Sequence, residues 1–239
     1  RNLVLFAPGY HRWFVKRWSE RLLAWMGIIL LSPLLVSLVA IVRATSKGPA
    51  LLWQERVGLN GQVFQIVKLR SMYEDAEQWS GAVWASEDDP RITPVGWYLR
   101  KLHLDELPQL WNVAKGEMSF IGPRPERPEF VDELIEQIPG YACRLAVLPG
   151  VTGLAQVNLP ADQTSDCVRR KIELDLEYIF TAEPSLDFRI AICTVLKMLA
   201  MPRERSAKLS YIFREPSKLP VLQLNTQSTG ALSPSESIN

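Results

Sequence analysis

The sequence predicts an α-rich α/β fold, a monotopic membrane-anchored domain with a helix broken at Ser-Pro and a small β-hairpin or sheet. Three observations carry that prediction. Residues 25–42 form an uncharged apolar run, two β-prone segments flank an Asn-Gly turn, and helical periodicity recurs over five later stretches.

With 239 residues, 47% of them hydrophobic and 22% charged, the chain can bury one domain core. That composition excludes a disordered chain, a collagen-like repeat and a disulfide miniprotein. The net charge of +1 argues against a nucleic-acid partner, yet it hides an asymmetry. Residues 1–70 carry ten Lys/Arg against two Asp/Glu, whereas residues 71–239 carry seventeen against twenty-four. A basic front before an acidic body suggests that the front meets something anionic. Cys143, Cys167 and Cys193 lie far apart without CxxC spacing and read as reduced thiols.

The apolar run, WMGIILLSPLLVSLVAIV from Trp25 to Val42, would span about 27 Å as a straight helix, barely the bilayer core. No small-residue cleavage site follows, so it does not read as a signal peptide. Ser32-Pro33 sits at its middle, where proline removes an amide donor and should bend the helix sharply. The Ser32 hydroxyl is placed to satisfy a freed carbonyl. Both flanks are basic, with Arg12, Lys16, Arg17 and Arg21 before and Arg43 and Lys47 after. Basic flanks on both sides suggest that both ends stay cytoplasmic, as a re-entrant helix over 25–43 requires. A proline-kinked spanning helix is the competing reading.

Gly48-Pro49 closes this segment, and residues 50–72 hold the two β-prone runs around Leu59-Asn60-Gly61-Gln62. Helical spacing follows at 72–80, 97–114, 126–138, 165–182 and 185–201. The last of these has a wide apolar face, which suits a core helix or one lying in a membrane interface, with Arg203, Arg205 and Lys208 just beyond it. Residues 206–239 read as a polar tail, disordered from about 216 where Ser, Pro, Thr and Gln dominate. The organisation expected is a basic lead (1–24), the membrane helix (25–43), a catalytic domain with interfacial helices (44–205) and that tail.

The densest chemistry lies in Trp97–Pro128. Leu104, Leu107, Trp111 and Ala114 fall at helical spacing, Gly116 is a natural stop, and Pro108 is tolerated only in a first turn. The helix should therefore start near Asp105, with Glu106 in its first turn. Asp-Glu there is a common capping pair, but a helix start can also hold a carboxylate ionised for coordination or attack. Arg100 and Lys101 lie just upstream, and Arg124 stands between two stiffening prolines. Guanidinium groups beside carboxylates near a membrane segment suggest phosphate chemistry with Mg2+ at an interface.

These residues resemble the bacterial sugar transferases, the monotopic polyprenyl-phosphate phosphoglycosyl transferases. The likeness covers roughly residues 16–200 and includes the Ser32-Pro33 helix, SKGPALLWQERVGLNGQVFQIVKLRSM, DPRITPVGWYLRKLHLDELPQLWNVAKGEMSFIGPRPERPEF, PGVTGLAQVN and KIELDLEYIF. The resemblance implies a two-step transfer. Asp105 would attack the β-phosphate of a UDP-sugar and release UMP, and the phosphosugar–aspartyl intermediate would pass to undecaprenyl phosphate. It further implies Glu106 as a Mg2+ ligand and Lys68, Arg100 and Arg124 as phosphate binders. Expected partners are the UDP-sugar, undecaprenyl phosphate and membrane lipids, with room for a homo-oligomer and no nucleic acid. The expected place is the cytoplasmic face of the bacterial inner membrane.

Two departures stand out. Lys16-Arg17-Trp18-Ser19-Glu20 replaces a stretch where many relatives have an aspartate, and His103 replaces a small hydroxyl residue before Leu-Asp-Glu. His103 reads as an exposed residue on a helix edge or a modifier of rate or donor choice. The chain begins at Arg1, and larger family members carry transmembrane helices upstream. A membrane-bound Mg2+-dependent phosphohydrolase and a non-catalytic membrane scaffold are the rival readings.

Overall fold

The computed structural model describes residues 10–76, 89–160, 165–199 and 201–214. Helix α1 spans Tyr10–Thr45, so the basic lead is helical from Tyr10 onward. It runs through Pro33 without a break in the helical assignment. Pro33 cannot donate to Ile29, and the Ser32 hydroxyl takes that carbonyl at 2.8 Å.

The hairpin forms where the Asn-Gly signal places it. Strands β1 (Leu51–Val57) and β2 (Val63–Leu69) pair antiparallel from Leu51↔Leu69 to Val57↔Val63. Asn60 and Gly61 take left-handed φ values of 55° and 79°, which those residue types tolerate best. The helix expected at 72–80 is absent from its described part. Met72 instead pairs with Ile92 in an isolated bridge and residues 74–76 form a turn, while 77–80 lie outside the described residues.

The stretch 97–114 is not one helix. It divides into α2 (Pro94–Lys101), a 3₁₀ turn (Leu104–Gln109) and α3 (Leu110–Lys115), which ends on Gly116 at φ 84°. Buried Asn112 ties α3 to β2: its Oδ1 accepts Val67 N–H at 3.1 Å and its Nδ2 donates to Gln65 O at 2.7 Å. That bond pair fixes the strand carrying Lys68 against the segment carrying Asp105 and Glu106.

A second sheet joins β3 (Ser119–Ile121) and β4 (Gly150–Thr152) in parallel. The turns after β3 and before β4 meet backbone to backbone, with Gly122 N–H bonded to Thr152 O and Gly150 N–H to Pro123 O. A Cβ on Gly150 would overlap the Gly122 backbone, which explains glycine in both the GPRP and PGVTG motifs.

The remaining helices are α4 (Pro128–Gln137), α5 (Leu154–Asn158), α6 (Ser165–Thr181), α7 (Pro184–Met198) and α8 (Arg203–Leu209). Their core includes Leu134, Tyr141, Leu174, Tyr178 and Ile190. Ala207 and Ile212 are fully buried in the same core, so the polar tail does not begin at 206. Burying a side chain such as Ile212 contributes about 2 kcal/mol, which ties the chain down at least that far. Residues 215–239 lie outside the described residues. Helix α7 is a core helix on one side, where Leu186, Ile190 and Cys193 are buried, whereas Phe188, Ile192, Val195 and Leu199 just beyond its end are exposed. The three cysteines are free thiols.

Candidate active site

A cavity of about 710 Å³ lies between the hairpin, the Leu104–Gln109 turn, the GPRP turn and α7. Lys68, Arg100, Asp105, Glu106 and Arg124 all line it, so residues spread over 57 positions of sequence meet in one chamber. Eight Lys/Arg side chains line it against three carboxylates, an excess that selects an anionic ligand.

The two adjacent carboxylates differ in their surroundings. They sit in the 3₁₀ turn before α3, and no side-chain cap hydrogen bond forms there, so the capping role expected of Asp105 is not what the structure gives. The turn is entered through His103, held at φ 53°, an unusual left-handed conformation for a residue with a Cβ. His103 is exposed and lines the cavity two positions from Asp105. Glu106 receives the Arg124 guanidinium at 2.6 Å and has Lys68 Nζ at 4.0 Å, both on Oε1. Burial opposes its ionisation, but the Arg124 and Lys68 charges prevail and hold its carboxyl down at about 2. Among the described residues, Asp105 has neither a hydrogen bond nor an ion pair. Burial, and next the Glu106 charge, push its carboxyl up, against the pull of Lys68 and Arg100. A desolvated, unpaired carboxylate is the more basic and more nucleophilic of the two.

Burial, helped by Arg124, pushes the Lys68 ammonium down to about 8 against the attraction of Glu106. Arg124 is held protonated chiefly by Glu106. Arg100 lines the cavity without an ion-pair partner among the described residues, and its Nη1 is buried without a hydrogen bond. It is a donor prepared for an oxygen the protein does not supply.

For Mg2+, the described residues contain no cluster of three or more metal-ligating side chains. Magnesium at a phosphate site takes one or two carboxylates and completes its shell with substrate phosphates and water. Both cations that touch Glu106 fall on Oε1, and Asp105 stands beside it, so the donor set fits such an ion.

Behind the cavity lies a buried network that the sequence reading missed. Arg144 donates from Nη2 to Arg124 O at 2.8 Å and from Nε to Asp175 at 3.0 Å. Lys171 donates to Glu126 at 2.6 Å, and Arg56 donates to Pro125 O at 3.1 Å. Arg144 and Arg56 thus hold the backbone of Arg124 and Pro125, and Lys171 holds the Glu126 carboxylate next to them. A signal existed: Lys171 and Asp175 share the spacing of the apolar stripe Val168, Ile172 and Ile179 on α6. Charges on an apolar face call for buried partners.

Comparison with known proteins shows the family. A family profile described as Bacterial sugar transferase matches residues 11–201. A UDP-N-acetylgalactosamine-undecaprenyl-phosphate N-acetylgalactosaminephosphotransferase of Aeromonas hydrophila is 43% identical over 78% of this chain and 44% of its own length. An undecaprenyl-phosphate glucose phosphotransferase of Komagataeibacter xylinus is 40% identical over 70% of this chain and 32% of its own. A UDP-glucose:undecaprenyl-phosphate glucose-1-phosphate transferase of Caulobacter vibrioides is 40% identical over 77% of this chain and 69% of its own. The chain thus spans a third to a half of the first two relatives. With the matched region covering nearly all of α1 and every wall of the cavity, the chain belongs to the bacterial sugar transferase family.

Proposed function

We propose that the chain transfers a sugar 1-phosphate from a UDP-sugar to undecaprenyl phosphate, releasing UMP, as the first lipid-linked step of polysaccharide assembly. One observation carries the reading: an unpaired, desolvated Asp105 carboxylate faces the same cavity as Lys68, Arg100 and Arg124. The Asp105 oxygen attacks the β-phosphorus, the bond from that phosphorus to the bridging oxygen breaks, and the electron pair leaves with UMP. An oxygen of the lipid phosphate then attacks the same phosphorus. The Asp105 carboxylate leaves, and a polyprenyl diphosphate sugar is formed. Lys68, Arg100 and Arg124 orient the diphosphate and offset its charge. Glu106, with Asp105 beside it, would hold Mg2+, whose charge would further neutralise the diphosphate.

The reading places the site at the cytoplasmic face of the inner membrane, with α1 entering and leaving one leaflet. Helix α1 is long and apolar enough to cross a membrane, and its apolar window is only 11% buried in the protein. Its two ends pack on the same body. Ala24 is buried with Val113 and Met118, and Leu38 and Val42 are buried with Leu69 and Leu99. Between them, residues 25–37 include none that is buried. Ala24 and Leu38 are about 21 Å apart along a helix, most of a roughly 30 Å hydrocarbon core. A spanning helix would draw the charged catalytic body into lipid to keep both contacts, whereas a re-entrant one projects only its middle. Trp25 and Trp111, stacked edge to face at 5.6 Å and both partly exposed, suit a headgroup boundary.

The test is UMP release from a panel of UDP-sugars by nanodisc-held protein, with and without undecaprenyl phosphate and Mg2+. The expected result is a stoichiometric burst without the lipid, steady turnover with it, and neither in Asp105→Asn. Steady turnover without the lipid would mean water is the acceptor and the protein a phosphohydrolase. No release from folded protein would withdraw the transfer reading.

A further inference from the structure

Six of the eight cations lining the cavity have a carboxylate within ion-pair distance: Arg56, Lys68, Arg91, Arg124, Arg127 and Lys171. Among the described residues, Arg100 and Lys197 have none. Arg100 faces Asp105 electrostatically, but the charges that act most on Lys197 are not carboxylates. The Lys197 ammonium donates to a single backbone carbonyl, Gln156 O, at 2.9 Å. Arg203 is the neighbouring charge that acts on it most strongly, and Arg203 Nε is buried without a hydrogen bond. Two cations without an ion pair among the described residues therefore act on each other, and one of them lines the chamber.

The helix that carries Lys197 says which anion this pair suits. On α7, Val195 lines the cavity and is also 55% exposed, so the apolar stripe formed by Phe188, Ile192, Val195 and Leu199 runs into the chamber mouth. A nucleotide has no use for such a surface. An isoprenoid chain lying along it would bring a terminal phosphate to α7's own cation.

We propose that Lys197, backed by Arg203, binds the phosphate of the polyprenyl phosphate acceptor, separately from the Lys68, Arg100 and Arg124 set that serves the donor diphosphate. This rests on the transfer reading above. Burial and Arg203 push the Lys197 ammonium below the usual lysine range, and an incoming phosphate would oppose both effects by favouring the charged form. Lys197 thereby helps to order the two half-reactions: Asp105 can be phosphorylated without it, but the lipid cannot take the phosphosugar efficiently.

The experiment separates two sources of phosphate. In nanodisc-held Lys197→Met, the acceptor-free UMP burst should stay within about twofold of wild type, while KM for undecaprenyl phosphate rises roughly ten- to hundredfold, as expected for a lost charged hydrogen bond. Lys197→Arg should recover most of that loss. Independently of turnover, geranylgeranyl phosphate should raise the melting temperature of wild type but not of Lys197→Met, while the rise caused by UMP is the same in both. A lost burst or a lost UMP effect would assign Lys197 to the nucleotide and overturn the proposal, as would two unchanged profiles. A wild type without a burst refutes the transfer reading instead, and the two melting-temperature comparisons still decide whether Lys197 binds a lipid phosphate.

Discussion

Asp175→Asn tests whether the buried network behind the cavity holds the Arg124 turn. The Arg144 and Asp175 side chains are 3% and 2% exposed and meet at 2.7 Å. The substitution keeps shape and removes one charge, so the Arg144 guanidinium stays buried beside a neutral amide. Leaving one member of a buried pair uncompensated costs about 3–5 kcal/mol. Glu126 also attracts Arg144, which favours the lower end, about 3 kcal/mol. For a chain of this size that is a fall in melting temperature of about 6–12 °C, measurable in nanodiscs by intrinsic fluorescence. The comparison is Glu129→Gln, which breaks the Arg127–Glu129 pair where Glu129 is 57% exposed and should shift the midpoint by about 2 °C at most. The same variant should lower kcat/KM for the UDP-sugar at temperatures where it is fully folded, because Arg144 also anchors Arg124 O. A fall no larger than that of Glu129→Gln would refute the reasoning.

Lys68 makes activity and stability move oppositely with pH. Its folded value of about 8 lies below the usual lysine range, so between the two the unfolded chain binds more protons and stability rises with pH. The phosphate-binding charge disappears over the same interval, so kcat/KM should fall with a midpoint near 8. Lys68→Arg should move that limb upward, and an unmoved limb would assign it to another group. Asp105→Asn and Glu106→Gln should shift the melting temperature in opposite directions. The first removes an unpaired buried charge and should hold or raise it, while the second takes the counter-ion from Arg124 and Lys68 and should lower it; shifts of one sign would contradict the assigned electrostatics. Pro33→Ala should restore the missing helical hydrogen bond and favour a spanning course. Cysteines at Ser19 and Lys47, labelled from one side in the parent, should then label from opposite sides, and unchanged labelling would remove Pro33 from the topology.

Local signals in the chain were legible where the backbone itself enforces them. Asn60-Gly61 and Gly116 adopt the left-handed conformations their residue types favour, and Ser32 takes the carbonyl that Pro33 frees. The meeting of the five candidate residues was legible, because the motifs that carry them surround one cavity. What spacing did not convey was tertiary. Pro108 and the left-handed His103 turn a predicted single helix into a 3₁₀ turn and a short helix, so Asp105 projects from a turn and not from a cap. Ser206 and Ile212 read as tail because their stretch is short and polar, yet α8 folds them under the main core. The Glu126, Arg144, Lys171 and Asp175 network was legible only in part. Lys171 and Asp175 stand at the spacing of α6's apolar stripe, but only the fold shows which opposite charges reach them.

Helix α1 and the cavity are joined by a short mechanical path. Lys16 of α1 donates to Ile121 O at 2.9 Å and pairs with Asp187 at the same distance, while Glu20 accepts the Ser119 hydroxyl at 2.7 Å. Ser119 and Ile121 bound the strand that runs straight into Gly122–Glu126, the turn bearing Arg124. Lys16 and Glu20 thus fasten α1 to the strand that leads into the turn bearing Arg124. The other end of the anchor packs through Leu38 and Val42 on Leu69, next to Lys68. On the transfer reading proposed above, a helix gripping both walls of the cavity would fix the depth at which Asp105 meets a lipid surface. A soluble donor and a lipid phosphate could then reach the same carboxylate in turn, with neither having to leave its own phase.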